Sequence, residues 1–252
     1  MEHSKLLNMG AELGQVLMTS GAEIYRVEES VERLLTAYGL QPQVFALPNC
    51  LIVSVNTPAG QPITRMCRIP AHGTDIELLE RCNQLCRRLC QNPLPVDKAC
   101  ELLDMVAVEA RRFSARVVLG GYTVVGAFFS LFHGGAAGDG LCGALCGLLI
   151  GLCLLFGKRL TGSNLFFRTA VCSSLAASLA ALLDWLGVGQ NLEAVTVGTM
   201  MLLMPGRALT NAMREIMAGD IFSGLSRTAE VILVATAVAL GCSLPVLLGQ
   251  ML

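Results

Sequence analysis

Apolar and polar positions follow one rhythm up to about residue 116 and another beyond it. Over residues 3–18, Leu6, Leu7, Leu13, Val16 and Leu17 recur at the three-and-four spacing of one helical face. Ile24, Val27, Val31, Leu34, Leu35 and Tyr38 repeat it in a second helix, which Gly39 is placed to end. Ser20-Gly21-Ala22-Glu23 has the S-x-x-E form of a capping box, so Ser20 is expected to open the second helix and Glu23 to reach back to the serine amide. Three β-like runs follow, Gln43–Leu47, Asn49–Asn56 and Ile63–Ile69, with Thr57 to Pro62 as the turn between the last two. They predict a small antiparallel sheet packed on the helices. Thr74-x-x-Glu77 repeats the capping spacing and predicts a helix to about Cys90; Pro93 and Pro95 break it, and another runs from Val96 to about Phe113.

After Arg116 the pattern becomes long apolar segments, at about 117–133, 140–157, 169–184, 192–204 and 229–249. Several are near or below the ~20 residues that a span needs, and each is expected to recruit flanking residues. The fourth meets Pro205-Gly206, where a missing donor and a loosened turn should stop or kink the helix. The expected fold is an α-helical integral membrane protein with five transmembrane helices, the fourth broken at Pro205 and Gly206, behind an N-terminal cytoplasmic α/β domain with a small antiparallel sheet. The domains are residues 1–116 and 117–252. Beyond the break, Leu209, Ala212, Met213, Ile216 and Met217 share one face of a short helix, and Arg207, Thr210, Asn211, Arg214 and Glu215 the other. That polar face is expected at the edge of the bilayer.

Composition agrees: 54% of residues are hydrophobic and 15% charged, more apolar than a globular core requires. The net charge of −1 hides a partition, with 12 of the 18 cations in residues 1–116. Every later cation lies in Lys158–Arg168 or Arg207–Arg227, whereas the alternate loops hold Asp139, Asp184 and Glu193. By the positive-inside rule the basic loops, and the first domain behind Arg111, Arg112 and Arg116, face the cytoplasm, and Leu252 ends outside. The segment from His133 to Asp139 is a glycine-rich turn, external or re-entrant. Gly143, Gly147 and Gly151 form a small-residue face for close packing within the chain or with a partner.

Candidate chemistry is sparse. No P-loop, G-x-S-x-G, G-x-G-x-x-G or H-E-x-x-H is present, and no basic stripe interleaved with aromatics suggests nucleic acid. His72 with Asp75 is the one histidine-acid pair at helical-turn spacing, and it reads better as a cap or surface contact than as a dyad. Cys82, Cys86 and Cys90 make a stripe that could hold a metal, but Leu78, Leu85 and Leu89 share that side and core packing is the expected role. No cofactor and no metal are expected.

Three stretches, SGAEIYRVEES at 20–30, the G-G-x-x-x-D region at 134–139 and LMPGRALTNAMREIMAGDIFSGLSR at 203–227, resemble the threonine/serine exporter family over nearly the whole chain. The likeness is to the shorter subunit type matching the N-terminal half of the long exporters, as in two-component succinate exporters. It implies a multi-pass plasma-membrane transporter, not an enzyme, that exports small carboxylates or hydroxy amino acids by coupling to the proton gradient. It also implies a second small membrane subunit as partner, beside lipid and a homo-oligomeric arrangement. The residues carried over are Gly21, Ala22, Glu23, Tyr25, Arg26 and Glu28 from the first motif, and Pro205, Gly206, Asn211, Arg214, Asp220 and Gly224 from the last. Arg207 departs from the family, which has an apolar residue there. The candidate transport residues are Arg207, Asn211, Arg214, Asp220 and Asp139. The alternatives are a membrane-anchored hydrolase, or a ligand sensor, with the activity in residues 1–116.

Overall fold

The structure, a computed structural model, describes residues 2–57, 60–70, 73–108, 113–157 and 164–251. The chain forms two compact units, one of Met1–Arg112 with Thr210–Arg227 and one of Phe113–Leu209 with Thr228–Leu252.

The first unit contains α1 (Glu2–Thr19), α2 (Ile24–Ala37), β1 (Pro42–Leu47), β2 (Cys50–Asn56), β3 (Pro62–Arg68), α3 (Ile76–Gln91) and α4 (Val96–Val108). The strands pair antiparallel in the order β1-β2-β3. Leu47 opposite Cys50 leaves Pro48-Asn49 as a two-residue turn, and Asn56 stands opposite Pro62. Side chains alternate across β2, so Leu51, Val53 and Val55 enter the core. There α1 lies directly on the sheet: a Cβ on Gly14 would meet the Leu51 side chain at 2.4 Å. Helices α3 and α4 complete the core with Cys82, Leu85, Cys86, Leu89, Ala99 and Leu103. The cysteine stripe is thus packing, and burial pushes the Cys82 and Cys86 thiols up to about 11 and about 12.

Both expected capping boxes are displaced. Ser20 does not open α2: its hydroxyl donates back to the Val16 carbonyl at 2.7 Å, closing α1, and Gly21 follows at φ +89°. The N-cap of α2 is Glu23 itself, whose side chain makes no capping bond. In α3 the cap shifts by one residue, since Asp75 rather than Thr74 accepts from the Leu78 amide at 2.9 Å. An aspartate reaches the third amide as well as a threonine does, so the spacing alone does not separate the two registers.

The second unit is built from α5 (Ala115–Phe132), α6 (Ala137–Phe156), α7 (Leu165–Trp185) and α8 (Leu192–Met200). Helices α9 (Gly206–Met217) and α10 (Ile221–Met251) give residues to both units. Among the described residues four helices are long and apolar enough to cross a membrane: α5, α6, α7 and Ile221–Ser243 of α10. The fourth expected segment instead holds the nine-residue α8, about 14 Å long at 1.5 Å per residue. It ends before the proline, because Leu202 and Leu203 donate to the carbonyls of Thr199 and Met200, tightening the chain into a turn. Met204 is in turn steered out of helix by the proline after it.

The interior of this unit is small and polar and its exterior large and apolar. Gly126, Ser130, Gly143, Gly147, Ser173, Ala176 and Thr199 are buried, while Phe128, Phe132, Leu145, Phe156, Phe167, Leu182 and Leu233 are exposed. Such a bundle gains nothing from water and is stable with hydrocarbon around it. The glycine face of α6 is used within the chain, against α5: a Cβ on Gly126 would lie 2.4 Å from the Gly143 carbonyl oxygen, and one on Gly147 2.3 Å from that of Tyr122. Backbone cannot yield as a side chain does, so Gly126→Val should cost on the order of 3 kcal/mol and abolish a monodisperse peak in detergent. Gly120→Ala, whose added methyl meets nothing within 4 Å, should keep the peak and the melting temperature. Equal behaviour of the two variants would contradict the close packing of α5 on α6.

Candidate functional site

Helix α9 is reversed relative to a water-facing amphipathic helix. Asn211, Ala212 and Glu215 are buried, whereas Leu209, Met213 and Met217 are exposed. Of the polar face expected at the bilayer edge, Asn211 and Glu215 turn inward within the first unit, toward the loop from α1 to α2, while Thr210 and Arg214 stay exposed.

That loop presents carbonyls and one amide. Gly21 at φ +89° lets the chain turn back, donating from Gly21 to the Met18 carbonyl and from Ala22 to that of Leu17. The turn leaves the carbonyls of Gly21 and Ala22 and the first amide of α2 without helical partners, and residues 211–227 satisfy all three. The Asn211 Nδ2 donates to Gly21 at 3.5 Å, Arg227 donates to Ala22 at 3.2 Å, and the Ile24 amide donates to Glu215 Oε1 at 3.2 Å. Two ion pairs lie over them. Arg214 meets Glu23 Oε1 at 3.0 Å, and Arg227 meets Glu215 Oε1 at 3.3 Å. Arg26 approaches the other Glu23 oxygen at 3.6 Å.

The two pairs differ in character. Arg214 keeps 59% of its side chain exposed, whereas Arg227 keeps 12% and Glu215 none. Glu215 Oε2 is buried with no hydrogen-bond partner. Burial therefore pushes the Glu215 carboxyl above its ordinary range; Arg227 and the Ile24 amide pull it back, while Asp220 and Glu23 push it further up.

The remaining candidates of this unit stand around the network. Tyr25 is half-buried in the first turn of α2, and Glu28 accepts from the Ala46 amide at 2.7 Å, tying α2 to β1. Burial raises the Glu28 carboxyl, against the pull of that amide, with Asp220 and Glu32 adding to the rise. Asp220 caps α10, accepting from Ser223 at 3.2 Å after Gly219 turns the chain at φ +95°. Gly224 lets α10 lie on α9, since a Cβ there would meet the Ala212 carbonyl oxygen at 2.8 Å.

Other candidates belong to the second unit. Pro205 lies between α8 and α9 and Gly206 opens α9, with Leu209 donating to the Pro205 carbonyl and Arg207 half-buried in the first turn of α9. Asp139 has no exposure. Its Oδ1 accepts from the amides of Gln190 and Asn191 at 2.7 and 2.9 Å, and its Oδ2 from that of Ala136 at 2.8 Å, so it fastens the α5–α6 turn to the α7–α8 turn. His72, Arg111, Arg112, Lys158 and Arg159 lie outside the described residues.

Glu215 and Arg227 were not among the sequence candidates, although both lie within the motif block. The signal was the spacing of Asn211 and Glu215, one helical turn apart, which marks one polar stripe without saying which way it faces.

Apolar helices with a small-residue interior, joined to an α/β unit that closes over an ion-paired network, define a polytopic helical membrane protein. The family model described as "Putative threonine/serine exporter" matches residues 8–248, and the chain belongs to this family. A "Probable threonine/serine exporter" of Mycobacterium tuberculosis is 22% identical over 241 residues, covering 94% of this chain and 45% of that protein. A "Threonine/serine exporter" of Corynebacterium glutamicum is 21% identical over 262 residues, covering 100% of this chain and 53% of that protein. The chain thus spans about half the length of these relatives. No solved structure matches it.

A carboxyl whose pKa is raised on folding stabilises the folded state below its unfolded value, near 4.5, and loses that contribution as the pH rises through the folded pKa. The stability difference between wild type and Glu215→Gln should therefore fall steadily as the pH is raised from about 4.5, with the glutamine variant lacking this slope. Parallel melting curves of the two proteins from pH 4 to 8 would contradict the buried state of Glu215.

Proposed function

We propose that this chain is the core of an exporter that moves small carboxylates or hydroxy amino acids out of the cytoplasm, coupled to the proton gradient. One observation carries the reading: residues 21–26 and 211–227, in contact across 190 or more positions, form a single network in which Arg214 remains largely exposed while Glu23, Asn211 and Glu215 are buried. Arg214 has one carboxylate partner, and its planar fork retains donors for a substrate carboxylate. The substrate classes are those named for the relatives, together with the succinate-like anions that the resemblance adds.

In this proposal the chain crosses the membrane five times. Helix α8 and the turn after it make a broken fourth crossing; the first unit is cytoplasmic and the C-terminus external. The basic segments around Arg168 and Arg207 favour this orientation. A second membrane subunit, matching the other half of the long exporters, completes the pathway, and the half-length coverage of the relatives supports it. Catalysis has no part in the reading: Glu23 and Glu28 are engaged by Arg214 and by the Ala46 amide rather than by a nucleophile.

Two sets of measurements test it. In proteoliposomes containing both subunits, Arg214→Lys should raise the KM for serine, threonine or succinate about tenfold while assembly survives, since lysine keeps the charge and loses the fork. Asp220→Asn should leave counterflow intact, because asparagine caps a helix as well as aspartate does. If Asp220 also carries the proton, the same variant should lose pH-driven export. Unchanged affinity, rate and pH dependence in both variants would overturn the assignment of the network to transport. Separately, a cytoplasm-only reporter fused after residue 252 should be silent, and full signal would overturn the five-crossing topology.

A further inference from the structure

Within the first unit a cavity of about 280 Å³ opens between α2 and α3. Lower down, Val27, Val31 and Leu34 of α2 and Cys82, Leu85 and Leu89 of α3 turn into the core, and the Cys86 thiol donates to the Ser30 carbonyl at 3.5 Å. Beyond that contact both facing stripes become polar, with Arg26, Ser30 and Arg33 beside the carboxylates of Glu23 and Glu29 on the α2 wall, and Asn83, Arg87 and Gln91 on the α3 wall. Long cationic side chains repel one another across a narrow gap, and the walls stand apart. Apolar residues at these positions would have let the helices close.

The charges are unevenly paired. Arg33 is matched by Glu29 at 2.6 Å on its own helix. Arg26 reaches Glu23 at only 3.6 Å, and that carboxylate is held more closely by Arg214 at 3.0 Å. Among the described residues Arg87 has no carboxylate within ion-pairing distance, and it is exposed at the cavity. Two guanidinium groups on opposite walls are therefore short of acceptors, and the Asn83 amide can supply a neutral hydrogen bond, whereas the Ser30 hydroxyl already donates to the Arg26 carbonyl at 2.7 Å.

We propose that this cavity binds a small dianion, a dicarboxylate or a phosphate, clamped between Arg26 and Arg87. Each guanidinium offers a two-donor fork to one end of such a ligand. The site is distinct from the Arg214 network but shares Glu23 with it, so a bound anion competes with Glu23 for Arg26 and leaves Glu23 to Arg214. The exporter reading is not required for this, because binding is measured without a membrane gradient.

The full-length protein in detergent is titrated calorimetrically with succinate, inorganic phosphate and, as a zwitterionic control, serine. One dianion should saturate a single site, and whichever of succinate and phosphate binds at least fivefold tighter identifies the source. Arg87→Gln should weaken that binding at least tenfold, and Lys5→Gln, which removes an exposed cation that does not line the cavity, should change it by less than twofold. Should Arg87→Gln fail to fold, Ser30→Trp, which fills the cavity from the α2 wall, should abolish binding with an unchanged circular dichroism spectrum. The proposal is overturned if neither dianion binds more tightly than about 10 mM. It is equally overturned if binding survives both cavity variants, or falls as much with Lys5→Gln as with Arg87→Gln.

Discussion

A carboxylate with no solvent exposure must find donors inside the protein, and Glu215 meets that demand with only one of its two oxygens. That oxygen takes the Ile24 amide, which is the first free donor of α2, and the Arg227 guanidinium. Arg227 in turn satisfies the Ala22 carbonyl that the glycine turn leaves open. One side chain thus settles the end of one helix, the start of the next and the crossing of α9 with α10. Removing any partner would strand a buried polar group rather than merely lose a contact. The arrangement is therefore more sensitive to substitution than surface ion pairs such as Lys5 with Asp97.

The elements of the first unit were legible because each has a period of its own: the three-and-four repeat gave the existence and C-terminal ends of α2 and α3, and the β-like runs gave the bounds of all three strands to within a residue. The helix starts were not, because Ser20, Glu23, Thr74 and Asp75 are all competent caps and only tertiary partners decide among them. Glu23 was read as a local reciprocal cap and is instead held by Arg214 from the far end of the chain. The motif residues were recognisable in the sequence, but their meeting was not, since nothing in a single sequence states that position 23 and position 214 are neighbours.

The orientation of α9 misled for a different reason. Amphipathic reasoning assigns the apolar face to the interior, which holds when the exterior is water. Here Leu209, Met213 and Met217 are outside and Asn211 and Glu215 inside. The same reversal governs the second unit, where glycines and hydroxyl residues meet between α5, α6 and α8 and the phenylalanines face out. In the second unit the rule survives with its solvent exchanged.

The first unit is not continuous in sequence: residues 210–227 belong to it, yet they follow α5, α6, α7 and α8 along the chain. During synthesis the α1–α2 turn emerges early and waits, with the Gly21 and Ala22 carbonyls and the Ile24 amide open, until some 200 further residues have been made. Completion of the N-terminal unit thus waits on synthesis of the helices between its two pieces. A fragment ending at residue 116 would lack the strands of chain that close it. The network can therefore close only after residues 210–227, which follow those four helices in the chain, have been made.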